Sequence, residues 1–389
     1  MKLLALVSVL VGVSVRVALS MHACGSLDVA QAFFWGDRIV SYGFAETYAT
    51  PSPYPSHAPL GFGLMGLFVS LADGNEVKFG LFLRLATAAV DLLILWMVFR
   101  FFARGETRRA SGIVILWAVM PYLVIQSSFH GNLDPFVGLL LLMAALLDSS
   151  KPAFSGAALG VAACIKIPAF LPLSALAAYH LARSRKEAFH FCSGALLPVA
   201  FLLAVPAALI SRYFSVLFLG YRGTPDSYGL WALFPSLHEV GWLSTALPLV
   251  LIGVASAIVV WRASKGVALK AAEVILCALM PVVFASRGFG IQYFYWFVPL
   301  LPLTHRRLWP SSLALVSCLS ILNVSMIWDL LGSERCIGPQ GYRNLDWLGV
   351  VSGGDIISSV EVVIASAVWV LAMVIWSRLV RSLFVNSDY

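Results

Sequence analysis

An all-α, polytopic membrane protein is the fold this sequence predicts, and three observations predict it. Hydrophobic residues fill 60% of the 389 positions and charged residues only 12%, against about 25% charged in soluble domains. Apolar runs recur along the whole chain, many of them near the roughly 17 to 25 residues that a bilayer crossing demands. The 26 Lys and Arg outnumber the 19 Asp and Glu, yet the bases sit in short clusters between apolar runs, as topology signals do. That distribution argues against a nucleic-acid partner.

The first run, residues 2–20, carries Lys2 and is interrupted by Arg16. No clean small-x-small cleavage site follows it, so it reads as a retained first helix. Full-length runs then fall at 79–102, 110–127, 190–211, 243–262, 267–286, 311–329 and 357–377, with shorter candidates at 133–148, 153–165, 168–182 and 289–304. The short run at 59–72 decides the topology. If it crossed, the basic loop of Arg100, Arg104, Arg108 and Arg109 would lie opposite Lys2, against the positive-inside rule. It is therefore expected on the outer interface as an amphiphilic or re-entrant segment. The other basic clusters then fall inside: Lys151; Arg183, Arg185 and Lys186; Arg262, Lys265 and Lys270; Arg306 and Arg307; Arg378 and Arg381. About 12 spans result, with both termini cytoplasmic. The expectation is one membrane-embedded domain over residues 1–389, with outer loops near 21–78, 212–242 and 330–356 and no separate soluble domain.

Those loops are rich in Trp, Tyr, Gly and Pro, and aromatic rings at that depth either anchor the interface or stack on sugar faces. In the first loop, Asp28 and Asp37 fit a short surface helix ended by Gly43, with interfacial helices on the outer face. An acid at a helix start is stabilised by the dipole, so capping competes with catalysis as the role of Asp28. A second stretch holds His130, Asn132 and Asp134 within five positions, with Pro135 suited to the first turn of a helix that Asp134 would cap. Lys166, between two runs each too short to cross, needs a partner at membrane depth: a phosphate or a nearby carboxylate. Arg287, beside Gln292 and Tyr293, and Arg222 are further cations at outer boundaries. Within the membrane, Arg84 and Asp91 are seven residues apart on one helix face, and Arg16 is placed to join them, which predicts a structural ion-pair network. The six cysteines contain no C-x-x-C pair, which argues against a metal cluster. Cys24 and Cys336 are the two in outer loops, and a disulfide between them is expected.

The pattern Asp28, Trp35, Gly43, Tyr48, Tyr54-Pro55 and Pro59-Leu60, then Leu133-Asp134-Pro135-Phe136, Ile165-Lys166-Ile167-Pro168, and Gln292-Tyr293 with Trp296 and Pro299 resembles the GT-C class of polytopic glycosyltransferases. Bacterial and archaeal mannosyltransferases and the lipid A aminoarabinose transferase type belong to that class. The resemblance implies a polyprenyl-phosphate sugar donor, transfer of a hexose such as mannose on the outer face, and inversion at the anomeric carbon. It implies a catalytic Asp or Glu in the loop after the first span, where this chain has Asp28. The chain departs from common forms in having His57 where a second proline or a lysine is often seen.

A sugar hydroxyl is a weak nucleophile, so the chemistry calls for a carboxylate base, with Asp28 first and Asp134 second. Cations must meet the charge growing on the departing phosphate, and Lys166, Arg287 and Arg222 are the candidates. Asp37, His57, His130, Asn132, Gln292 and Tyr293 are expected on the substrates. No cofactor is expected; the alternative is a divalent cation held between Asp28 and Asp37 on oxygen ligands. The acceptor class is left open among glycan, lipid and protein, with membrane lipid around the chain. A transporter or flippase of a lipid-linked or amphiphilic solute is the competing reading, although no internal repeat supports it.

Overall fold

The computed structural model describes residues 2–23, 25–49, 57–105, 107–204, 243–285, 291–304, 308–330 and 358–384, and no strand occurs among them. The helices are α1 (Lys2–His22), α2 (Leu27–Ala49), α3 (Pro59–Leu71), α4 (Glu76–Ala103), α5 (Thr107–Val119), α6 (Pro121–Ile125), α7 (Asp134–Leu147) and α8 (Pro152–Ile165). They continue as α9 (Phe170–Arg183), α10 (Arg185–Val199), α11 (Leu243–Ser264), α12 (Ala271–Ala285), α13 (Leu301–Thr304), α14 (Trp309–Leu330) and α15 (Ser358–Phe384). Among the described residues four helices are long and apolar enough to cross a membrane: Leu3–His22, Glu76–Ala103, Arg185–Ala204 and Ala246–Ser264. A fifth arises if Arg108–Val119 and Pro121–His130, bent by 53°, form one span.

That bend corrects the expectation of a straight crossing at 110–127, and its cause is local. Pro121 has no N–H to give the carbonyl of Trp117, and the N–H of Tyr122 donates instead to Ser317 Oγ at 3.1 Å. The freed carbonyls are taken by Arg16 of α1, whose Nη1 donates to Ala118 O at 2.7 Å and whose Nη2 donates to Trp117 O at 3.4 Å. Gly12 lets α1 come this close, since a Cβ there would stand 2.2 Å from Ala118 O. The same arginine donates through Nε to Asp91 Oδ2 at 2.8 Å, while Trp117 Nε1 donates to Asp91 Oδ1 at 2.8 Å. Arg16 and Asp91 are 1% and 0% exposed.

Two other runs also differ from expectation. Residues 267–286 become helical only from Ala271. In the run 289–304, the described residues 291–304 form a 3-10 turn over Ile291–Trp296 followed by the four-residue α13, because Pro299 and Pro302 interrupt the donor series. Gly43, at φ 76° and ψ 178°, breaks α2 rather than ending it, and helix resumes to Ala49. Residues 59–71 do form a helix, of 13 residues.

The chain folds as two compact units, the first of residues 1–47, 62–139 and 310–364, the second of residues 48–61, 140–309 and 365–389. In the first, α1 packs on α4 and α5, and α2 lies so close to α3 that a Cβ on Gly36 would be 2.7 Å from Met65 O. Trp35 and Phe62 close that contact with ring centroids 5.3 Å apart. In the second, α8 runs along α10 and α9 packs on α11 and α12. Glycines at both sides bring the α8 and α10 backbones together, as a Cβ on Gly156 would fall 2.0 Å from Phe191 O and one on Gly194 1.8 Å from Ala153 O. Small residues permit this approach where lipid gives helices no hydrophobic reason to associate. At the end of the same group His180 Nε2 lies 2.9 Å from Asp148 Oδ1, to which Ser155 Oγ donates at 3.2 Å.

Candidate active site

In the first unit, two chain corners meet around Asp28. One is the α1–α2 turn, where Gly25 at φ 87° reverses the chain. Ser26 follows, and its Oγ accepts from the N–H of Asp28 at 3.1 Å, so Asp28 enters the first turn of α2 with its carboxylate near the positive helix end. The other corner is a π-helical turn, Gln126–His130, closed by Gly131 at φ 64°. Such widened turns frequently mark functional positions because they turn side chains out of helical register. Ser26 joins the corners by donating through Oγ to His130 O at 2.8 Å.

The side chains converge on one oxygen. His130 Nε2 stands 2.8 Å from Asp28 Oδ2, and Asn132 Nδ2 donates to the same Oδ2 at 3.4 Å. Asn132 is oriented from behind, its Oδ1 accepting the N–H of Asp134 at 3.0 Å. That contact revises the expected cap: Asp134 is already the first residue of α7, and Asn132 caps it. Asp134 is fully buried, whereas the Asp28 side chain is 31% exposed. Four of the expected residues, Asp28, His130, Asn132 and Asp134, thus form one connected group. Water-accessible, fixed by the Asn132 amide and flanked by the His130 ring, Asp28 is arranged to take up a proton from a hydroxyl that reaches it.

Two partnerships that the sequence raised, the first only as an alternative, do not form. Asp37 lies on the exposed side of α2, nine residues from Asp28. On a helix this is about 13.5 Å of rise and half a turn of rotation. The two carboxylates therefore do not share a divalent ion. Among the described residues no group of three or more His, Cys, Asp or Glu is placed to hold a metal. Arg84 does not turn to Asp91, because helical side chains lean toward the N-terminus, and Asp91 lies the other way. Its Nε donates to Gly80 O at 2.9 Å and its Nη1 to Ala23 O.

In the second unit, Lys166 occupies the extended residue between α8 and the 3-10 turn Ile167–Ala169, at φ −138° and ψ 124°. It is 8% exposed, and its Nζ lies 5.3 Å from the Tyr293 ring centroid and 5.6 Å from that of Trp296. Two aromatic faces hold an ammonium by about 1–2 kcal/mol when it is partly desolvated. His57 lies beside the same strand-like segment: the N–H of Ala58 donates to Ile165 O at 3.2 Å, and Tyr48 OH donates to His57 O at 2.9 Å. Gly61 makes room, since a Cβ there would be 2.9 Å from Ile165 O and 3.2 Å from His57 Cβ. Gln292 and Tyr293 are half-buried in the aromatic turn. Trp296 was not among the expected site residues, although its spacing of three from Tyr293 puts both on one side of a 3-10 turn. Arg222, Arg287, Cys24, Cys336 and most of the loops at 212–242 and 330–356 lie outside the described residues.

No curated protein matches the chain. The sequence profile of glycosyltransferase family 87 matches residues 54–287. That segment takes in His57, His130, Asn132, Asp134, Lys166, Arg222 and Arg287, while Asp28 precedes it. Since the match spans more than half of the sequence, the chain belongs to glycosyltransferase family 87 and is a polytopic membrane glycosyltransferase of the GT-C type.

Proposed function

We propose that the protein transfers a hexose, such as mannose, from a polyprenyl-phosphate donor to a glycan, lipid or protein acceptor on the outer face of the membrane, with inversion. The observation that carries this reading is the Asp28 carboxylate, part exposed and held on one oxygen by His130 and Asn132. Family membership supplies the reaction type. The acceptor hydroxyl gives its proton to Asp28 as its oxygen attacks the anomeric carbon. The bond from that carbon to the phosphate oxygen breaks on the opposite side, and the electron pair leaves with the polyprenyl phosphate. Lys166, steadied by Tyr293 and Trp296, meets that charge together with Arg287 and Arg222. Asp134 is the second carboxylate of the site, and His57, Gln292 and Asp37 contact the substrates. The surrounding fold is one domain of about 12 spans with both termini in the cytoplasm.

Asp28→Asn, purified in detergent and assayed with polyprenyl-phosphate mannose, is expected to lose about 10²- to 10⁴-fold in turnover, the usual worth of a general base. Wild-type turnover in the folded variant would remove Asp28 from that role. Movement of the intact donor across vesicles with no release of polyprenyl phosphate would favour a flippase instead.

A further inference from the structure

Arg84 is a buried cation about two turns into the apolar helix α4, 3% exposed, and the ion pair expected to explain it does not involve it. An arginine at membrane depth is costly and persists where its donors have a task. Here one donor, Nη1, reaches the corner that leads into Asp28, Nε donates to Gly80 O of its own helix, and the aliphatic stem lies against the other corner at Gly131. Nη1 donates to the carbonyl of Ala23, the residue that follows α1 just before the Gly25–Ser26 turn into Asp28. A Cβ on Gly25 would lie 3.1 Å from Nη1, and a Cβ on Gly131, next to His130, would lie 3.1 Å from Arg84 Cγ. Both glycines have positive φ, so each corner presents a side-chain-free surface to this one residue. One turn further along α4, Thr87 Oγ1 donates to Ser127 O in the π-helical turn. The Arg84 stem is thus packed between the corners whose side chains meet above it.

We infer that Arg84 is a positioning residue: it sets the separation of the Asp28 and His130 corners, and through it the carboxylate–imidazole contact on which turnover depends. The inference rests on the reading of Asp28 as the base, but its test does not. The full chain is placed in lipid nanodiscs with ¹⁵N-labelled histidine side chains, and the His130 ring signal is identified by its loss in His130→Gln. His180, held by Asp148 in the other unit, serves as the control. Arg84→Gln is expected to move the His130 signal in the direction that Asp28→Asn moves it, with His180 unmoved. With polyprenyl-phosphate mannose, kcat should fall at least about tenfold at little-changed KM, as a displacement on the order of 1 Å produces.

If Arg84→Gln fails to fold, Arg84→Lys, which keeps the charge but not the fork, is read in its place with the same expectation. An unmoved His130 signal in a folded variant overturns the inference. So does loss of the His180 signal in both variants, which would assign Arg84 to the fold alone. Absence of transfer by the wild type would count against the donor, while the ring signals would still decide the role of Arg84.

Discussion

Gly131 shows how much one residue governs at the candidate site. Its φ of 64° is one that an L side chain adopts at a cost of about 1–2 kcal/mol, and a Cβ there would press to 2.5 Å from Val29 Cγ2. Gly131→Ala should therefore lower the thermal midpoint of the detergent-purified protein and also reduce transfer, because the neighbouring His130 must shift; an unchanged midpoint would contradict this account. Lys166 makes the opposite case. Its ammonium is held by two rings rather than by the helix ladder, so Lys166→Met should keep the midpoint while raising the donor KM about tenfold or more, the worth of one charge-assisted hydrogen bond. Equal KM values for both proteins would take Lys166 out of the phosphate clamp. The polar types at both places were visible in the sequence. That His130 and Asn132 reach the same carboxylate oxygen was not, because these contacts join distant segments, 104 positions apart in the case of Asn132.

At the scale of the element, the bent pair α5–α6 and the tight pair α8–α10 carry the next expectations. Removing one member of a buried ion pair leaves an uncompensated charge and costs about 3–5 kcal/mol, whereas removing both is often much milder. Arg16→Met should thus destabilise strongly, and Arg16→Met with Asp91→Leu should recover much of the loss. The measurement is a double-mutant cycle on denaturation midpoints, and simple additivity of the two changes would sink the explanation. The recovery will be incomplete, since Arg16 also covers the carbonyls that Pro121 frees. For α8–α10, Gly194→Ala places a methyl 1.8 Å from a backbone oxygen, and overpacking of this kind costs about 1–3 kcal/mol. A midpoint unchanged within error would mean that the helices separate freely. Most helices stood out in the sequence as apolar runs, and their breaks did so less well. Pro121 marked a break that run length alone concealed.

Over the whole molecule, the charge pattern predicts where the ends lie. A green fluorescent reporter fused after residue 389 should fluoresce, as it folds in the cytoplasm, and an alkaline phosphatase fusion at the same point should be inactive; the reverse result would overturn the arrangement of about 12 spans with both termini in the cytoplasm. Composition, run length and the placement of bases were enough to establish an all-α membrane protein, because a bilayer forces every backbone polar group into helices and leaves an unmistakable apolar signature. The same local signals identified Asp28, His130, Asn132 and Lys166 as residues whose polarity needed a reason. Which of them meet is a different kind of fact. Arg84 looked like the partner of Asp91 by helical spacing, and only the packing of α1 on α4 and α5 delivered Asp91 to Arg16 and turned Arg84 toward Ala23. Likewise Asp28 and Asp37 looked close in sequence and are held apart by an unbroken stretch of α2, while Asp28 and His130 looked remote and touch. Sequence patterns report the surroundings that each short segment requires, since those follow from its own periodicity and charge. Pairing between distant segments depends on where helices end and which glycines let backbones approach, and these were decided by the tertiary structure.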